Sequence, residues 1–355
     1  MIKFALLGCG RISKRHASLL AENQIKGAKL VAVCDVDKKK AENLGVKYNI
    51  PFYTDMHEMM KLEDIDAVSV LTESGNHAKN TIDLAEYKVD ILVEKPMALK
   101  LEDADAMIKK CHENGSRLFV IKQNRFNVPV VQMRSALEKG RFGKLILGTV
   151  RVRWCRTQEY YDQDNWRGTW AFDGGVLTNQ ASHHIDLLEW MLGDVISVFA
   201  KSKTALVDIE AEDTAVVILK FANGALGIIE ATTAIRPKDL EGSLSVLGET
   251  GSVEIAGFAV NEMKTWNFSE FVEGDLEVKE KYSVNPPNVY GFGHQAYYDH
   301  VVDCIDKNIP TLVDGEEGRK SLELINAIYE SIETGNEVFL NYLSNKSKLG
   351  KIDYD

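Results

Sequence analysis

Phe4-Ala5-Leu6-Leu7-Gly8-Cys9-Gly10-Arg11-Ile12-Ser13 joins a short apolar run to a glycine pair and then to an amphipathic stretch, Arg15 to Ala21. Four consecutive apolar residues read as a strand buried on both faces of a parallel sheet. The glycine pair permits a tight turn and a close approach of backbone to pyrophosphate. The helix that follows offers unpaired N–H groups and the positive end of its dipole. Ser13 stands at the third fingerprint position and is still small enough for close helix–strand packing. Placed between strand and helix, the loop predicts a dinucleotide site on Gly8, Gly10, Arg11 and Ile12.

The same rhythm continues to about residue 122. Leu30 to Cys34, Ala67 to Leu71, Ile91 to Val93 and Leu118 to Ile121 are short runs rich in Val, Ile and Leu. Amphipathic stretches separate them: Lys38 to Lys47, Ala78 to Glu86 and Leu101 to Asn114. The alternation predicts an N-terminal Rossmann fold with a parallel sheet. Open sheets of this kind bind ligands at the carboxyl ends of their strands. Asp35 ends the second run, where a carboxylate accepts from the adenosine ribose hydroxyls and repels a 2′-phosphate; this favours NAD over NADP. A helix-capping Asp is the alternative. Thr72, Ser74 and His77 follow another strand end, with Asn76 a candidate cap. Val93-Glu94-Lys95-Pro96 ends a further strand. A lysine there is unusual because lysines normally stay solvated, although composition alone reads it as a surface residue before a turn.

Beyond residue 123 the pattern changes. Val128 to Lys139 reads as a helix, followed by strand-like runs at Leu145 to Trp154, Ile196 to Lys203, Ala215 to Phe221, Ala225 to Ala231, Gly242 to Leu247 and Ser252 to Ala256. Turn pairs such as Asn223-Gly224 signal hairpins. Helices are expected over His184 to Met191, Ala296 to Lys307 and Gly315 to Glu333. The expected plan is α/β plus α+β. Residues 1–123 form the NAD-binding domain. Residues 124–343 form a large, mostly antiparallel open sheet with helices on one face, and 344–355 a polar tail.

Bulk properties narrow the function. The 355 residues are 45% hydrophobic and 27% charged, with a net charge of -11. That balance suits a soluble two-domain protein. It argues against binding a nucleic-acid backbone or an anionic membrane surface. No apolar run reaches a membrane span and no signal-peptide pattern opens the chain, so a cytoplasmic location is expected. Cys9, Cys34, Cys111, Cys155 and Cys304 are scattered and read as reduced, mostly buried thiols. His183, His184, His294 and His300 show no ligand spacing, and no metal site is expected.

The glycine loop, the Glu94-Lys95-Pro96 turn and the antiparallel second half resemble the GFO/IDH/MocA oxidoreductases from Lys3 to about Tyr342. The resemblance implies that Lys95 contacts the reacting hydroxyl and that the peptide before Pro96 is cis. It aligns Gly174-Gly175 and the run to Asp186 with the family's second motif, placing His183 on the family histidine. Asn179 stands where many members carry Asp; Asn takes no proton, so the resemblance leaves acid–base duty to His183, shared at most with Lys95. A finer resemblance is to the UDP-N-acetylglucosaminuronate 3-dehydrogenases of bacterial surface-polysaccharide pathways. It rests on Lys122-Gln123-Asn124-Arg125, Arg156-Thr157-Gln158-Glu159-Tyr160-Tyr161, Trp166-Arg167-Gly168-Thr169-Trp170, Phe172-Asp173-Gly174-Gly175 and Asn179-Gln180-Ala181-Ser182-His183. Glu73 departs from it, since relatives often carry Pro there.

The resemblance implies an NAD-dependent dehydrogenase that oxidises the sugar 3-hydroxyl of an acidic UDP-sugar. Glu94, Lys95, Gln123, Trp166 and Arg167 join the cofactor set. Asn124, Arg156, Tyr160, Tyr161, Asn179 and Gln180 join Lys95 and His183 at the substrate. An acidic chain must concentrate cations locally for such a ligand, and Arg151, Arg153, Arg156 and Arg167 do so on the sequence. With free pKa values of about 6.5 and 10.4, histidine is the better base and lysine the charge-stabilising donor. The alternatives are a dehydrogenase of a free sugar or inositol, and a non-catalytic NAD-binding sugar sensor. The resemblance also implies a homo-oligomer, dimer or tetramer, formed through the C-terminal sheet.

Overall fold

The structure, a computed structural model, describes residues 1–284, 286, 291–340 and 347–351, so most of the expected polar tail lies outside the described residues. The chain runs β1 (Ile2–Leu7), α1 (Ser13–Ala21), β2 (Ala28–Cys34), α2 (Lys38–Tyr48), β3 (Phe52–Tyr53), α3 (Met56–Leu62), β4 (Ala67–Val70), α4 (His77–Ala85), β5 (Asp90–Val93), α5 (Leu101–Asn114) and β6 (Leu118–Val120). It continues through α6 (Val128–Glu138), β7 (Leu145–Arg153), α7 (Gln158–Tyr161), α8 (Ser182–Leu192), β8 (Val195–Lys203), β9 (Thr214–Phe221), β10 (Leu226–Thr232), β11 (Glu241–Gly248), β12 (Gly251–Ala256) and β13 (Glu262–Phe268). The last elements are α9 (Val278–Lys281), α10 (Gly293–Lys307), α11 (Gly315–Thr334) and β14 (Val338–Phe339).

Two compact units result. One holds Met1–Lys122 and His294–Lys320; the other holds Gln123–Gly293 and the chain from Ser321 onward. Most of α10 thus belongs with the nucleotide-type unit, whereas the sequence placed it in the second domain. The physical reason is its apolar face: Tyr298 is fully buried and meets Phe4 of β1 edge-on, with ring centroids 5.6 Å apart.

In the first unit, six described strands pair in parallel in the order β3-β2-β1-β4-β5-β6. This is the order of a dinucleotide-binding sheet, with its crevice between β1 and β4. β1 is buried from Phe4 on, β4 throughout and β5 from Ile91 on, as their apolar runs require, with Ser69 the polar side chain among them. Local chemistry sets the helix ends. Asp37 caps α2 by accepting from the Lys39 N–H at 2.9 Å, and Gly115 closes α5 at φ 74°.

In the second unit, eight described strands follow the order β13-β12-β11-β7-β10-β9-β8-β14. The pairing is antiparallel except between β7 and β10. α8 packs beneath β7 and β11. The opposite face carries a row in register across three strands, Phe199 beside Ile218 beside Ile228, each at least 37% exposed. No described helix is long and apolar enough to cross a membrane. The sequence reading missed β3, α3, α7, β13, α9 and β14. β3 has two residues, too few for a period, and a register shift opposite β13 spaces its buried Met263 and Trp266 three apart.

Candidate active site

In the first unit the glycine loop presses on the end of β4. Gly8 adopts φ +100°, and a Cβ there would lie 2.7 Å from the Leu71 carbonyl carbon and oxygen, so the position demands glycine. At Gly10 the same test meets nothing within 4 Å, which leaves open space over the start of α1. Buried Ser13 donates to the Gly10 carbonyl at 2.7 Å and closes the turn, while Arg11 is exposed and Ile12 half-buried. Asp35 is held at the rim: one oxygen accepts from the Cys9 N–H at 2.7 Å and the other from the Asp37 N–H at 2.8 Å. Open backbone at a helix start, beside an anchored and half-exposed carboxylate, fits a dinucleotide. Burial, with Asp35 adding to it, pushes the Cys9 and Cys34 thiols up to about 12, so neither acts as a nucleophile at neutral pH.

The Lys95–Pro96 peptide is cis. Two buried histidines brace this turn. His77 lies between the Pro96 carbonyl at 2.7 Å and the Thr72 carbonyl at 3.0 Å, and burial lowers its pKa. Glu94 is 7% exposed; one oxygen faces His16 at 3.2 Å and the other accepts the Lys95 N–H at 3.0 Å. The His77 and Glu94 side chains, expected at the cofactor, are thus spent on internal bonds. Thr72 accepts from Asn80 at 3.0 Å, and Ser74 opens a short turn in which Asn76 donates to Glu73 and caps nothing.

The second unit gathers another group. Gln123, Asn124 and Arg125 are buried in one turn of 3-10 helix. Arg125 makes a bidentate pair with Asp186 of α8, both bonds 2.8 Å, beneath Trp190. That pair fixes the turn against α8, where the Gln123 amide nitrogen lies 2.9 Å from Nε2 of His183. Gln180 is also buried. Asn179 donates to Asp173, whose other oxygen accepts the Gly168 N–H. His184, by contrast, packs edge-on to Trp154, and burial lowers its pKa to about 3. Tyr160 sits between Arg156 and Arg167, with charge-to-ring distances of 5.4 and 4.8 Å, and Arg167 also covers Trp166. The Tyr161 ring is buried with its hydroxyl 3.1 Å from that of Thr233.

The four arginines that the sequence offered as local cations each face acids. Arg153 pairs with Glu230 and Glu241, and Arg151 lies 3.7 Å from both. These two arginines neutralise the outer face of the sheet. Arg156 pairs with Asp239, and Arg167 with Asp164. Partners up to 88 residues away in the chain escaped a local reading of charge. Sequence spacing also hid one group with ligand-like geometry, His16, Glu94 and His294, whose nearest donor atoms all lie within 4.8 Å. His16 and Glu94 are already joined by the bond above.

Comparison with known proteins follows the same lines. Residues 2–122 match the GFO_IDH_MocA model, described as an oxidoreductase family's NAD-binding Rossmann fold. Residues 134–340 match its C-terminal alpha/beta domain. The WlbA dehydrogenase of Bordetella pertussis, solved in complex with NADH and UDP-GlcNAcA, is 40% identical, with a TM-score of 0.89 over 96% of this chain and 98% of that one. The WlbA dehydrogenase of Chromobacterium violaceum, in complex with the same two molecules, is 41% identical, with a TM-score of 0.89 over 96% and 97%. Myo-inositol 2-dehydrogenase of Thermotoga maritima is 27% identical over 96% of this chain and 98% of its own.

One buried acid in the second unit went unpredicted. Glu212 accepts the Leu177 N–H at 2.9 Å and the Tyr329 hydroxyl at 3.1 Å, holding the segment that leads to Asn179 and His183. Burial pushes its carboxyl up to about 7. Between the ordinary carboxyl value and that one, the folded chain holds a proton that the unfolded chain has lost. Stability therefore falls as pH rises from about 4.5 to about 7 and levels off above. Glu212→Gln should abolish this fall. The variant should match the parent at pH 4.5 and exceed it at pH 8 by roughly 3 kcal/mol in urea unfolding; parallel curves for the two proteins would refute the assignment.

Proposed function

Because the chain belongs to the GFO/IDH/MocA oxidoreductase family, whose Rossmann domain binds NAD, we propose that it oxidises the sugar 3-hydroxyl of UDP-N-acetylglucosaminuronate to a ketone, in the cytoplasm, for bacterial surface-polysaccharide synthesis. The supporting observation is the near-complete, 40–41% identical match to two dehydrogenases solved with NADH and that sugar nucleotide. Inositol and apiose dehydrogenases match at 22–29%.

Bound NAD supplies the hydride acceptor. In this reading Gly8, Gly10, Arg11 and Ile12 bind its pyrophosphate side and Asp35 its adenosine ribose. Thr72, Ser74, Gln123, Trp166 and Arg167 complete the cofactor set. Lys95, as ammonium, donates to the 3-oxygen and stabilises the alkoxide charge that develops there. His183 takes the hydroxyl proton as hydride leaves the same carbon, and its contact with Gln123 fixes the ring. Asn124, Asn179 and Gln180 hydrogen-bond the sugar. Arg156, oriented by Asp239 and flanked by Tyr160 and Tyr161, binds the anionic part of the ligand.

Reduced-cofactor absorbance tests this directly. Given NAD and a panel of UDP-sugars, free sugars and inositols, the protein should turn over UDP-N-acetylglucosaminuronate with at least about a hundredfold higher kcat/KM than any uncharged polyol. Turnover of inositol without turnover of the UDP-sugar overturns the substrate assignment. His183→Ala should lose about 10²- to 10⁴-fold in kcat while still binding NAD; a normal rate removes the residue from the chemistry. The exposed row Phe199, Ile218 and Ile228 supports a homo-oligomer built on the C-terminal sheet. Light scattering should report a dimer or tetramer that Ile218→Asp dissociates, and a monomeric parent contradicts it.

A further inference from the structure

Polar side chains that the proposed chemistry does not use are buried next to the Lys95 turn. Ser69, His16 and Tyr298 are each 0% exposed, and Glu94 is 7% exposed. They come from four places in the first unit: β4, α1, α10 and the end of β5. Each meets the next at hydrogen-bond distance. Ser69 Oγ is 2.9 Å from the Tyr298 hydroxyl, which is 2.7 Å from Nδ1 of His16. Nε2 of His16 is 3.2 Å from one Glu94 oxygen, and the other Glu94 oxygen accepts the backbone N–H of Lys95 at 3.0 Å.

One arrangement of hydrogens satisfies every member. Burial pushes the Tyr298 phenol up, so it keeps its proton and donates to Nδ1 of His16. Ser69 donates to Tyr298, and His16 donates through Nε2 to Glu94. Burial alone would raise the Glu94 carboxyl. The hydrogen bond of His16, with His294 Nε2 3.9 Å from the same oxygen, outweighs it and holds the group well below the usual carboxylate range, so the chain ends on an anion. All donors then point the same way, which strengthens each bond through its neighbour.

We propose that His16 is a positioning residue for the reaction: through Glu94 it fixes the Lys95–Pro96 turn, and with it the point from which the Lys95 ammonium meets the substrate oxygen. His16 lies on the helix that follows the glycine loop, so the same bond ties the lysine turn to the dinucleotide helix. This rests on the reading of Lys95 given above. A misplacement of about an ångström costs on the order of a hundredfold in rate.

The test uses the whole protein with NAD and UDP-N-acetylglucosaminuronate. His16→Phe should lower kcat by on the order of a hundredfold, while the calorimetric Kd for NAD changes less than about threefold because the loop itself is untouched. His16→Gln, which keeps a donor for Glu94, should recover most of that loss. Tyr298→Phe keeps the ring against Phe4 and removes one hydroxyl; it should lower kcat about fivefold, and it carries the test if His16→Phe does not fold. Combined with Lys95→Met, His16→Phe should add no further loss. The acetylation rate of Lys95 with acetic anhydride, read by mass spectrometry, should change severalfold in His16→Phe without any substrate present.

Three results overturn the proposal: a folded His16→Phe or Tyr298→Phe enzyme with the parent's kcat and Lys95 reactivity, losses that multiply in the double variant, or a stoichiometric bound metal that disappears with His16. A Lys95→Met enzyme with normal turnover sinks the reading of Lys95 instead, and the acetylation readout still judges the effect of His16 on the turn.

Discussion

A carboxylate taken out of water costs several kcal/mol unless donors replace the lost solvent. Glu94 imposes that demand at the carboxyl end of β5, where it is 7% exposed. Its answer draws on distant parts of the chain. His16 comes from the helix after the glycine loop, and Tyr298 and His294 come from α10, about 200 residues beyond Glu94. Meeting the demand ties β1–α1, β5 and α10 into one body. Together with the apolar face of α10 against β1, it keeps His294–Lys320 in the N-terminal unit, ahead of β14, the last strand of the second sheet. Once Glu94 is held, its second oxygen is left to hold Lys95.

The second unit solves a related problem with charge. The chain carries a net -11 and is read as binding an anionic ligand. Its arginines are therefore kept in place by nearby acids. Asp186 orients Arg125, Asp239 orients Arg156, and Asp164 orients Arg167. A paired guanidinium has more N–H donors than one carboxylate uses. Pairing thus fixes its direction without removing its capacity to bind. The same device on the outer face, Arg151 and Arg153 against Glu230 and Glu241, covers a sheet surface and serves no ligand site in this reading.

Much of this was legible in the sequence because the signals were local. The glycine loop, the short apolar strands and the strand ends at Asp35 and Lys95 each fit within about ten residues. The structure puts elements where those patterns placed them, within three residues at most of the predicted ends. The missing pieces were short or non-local. β3 has two residues, and a register shift spoils the alternation of β13. The partners of Glu94 lie 78 and 200 residues from it, at His16 and His294. Glu212 is one of four acids between Asp208 and Asp213, and only the fold shows it buried against Tyr329, 117 residues on. Side-chain networks closed by topology leave no periodic trace.

The central claim is that this chain removes hydride from the carbon bearing the sugar 3-hydroxyl. The direct measurement is isotopic. UDP-N-acetylglucosaminuronate carrying deuterium at C3 is incubated with the protein and NAD, and the reduced cofactor is analysed by mass spectrometry. The account predicts that the deuterium appears in the reduced cofactor and that a ketone forms at C3. Reduced cofactor without the label, or label retained in the sugar after turnover, contradicts it.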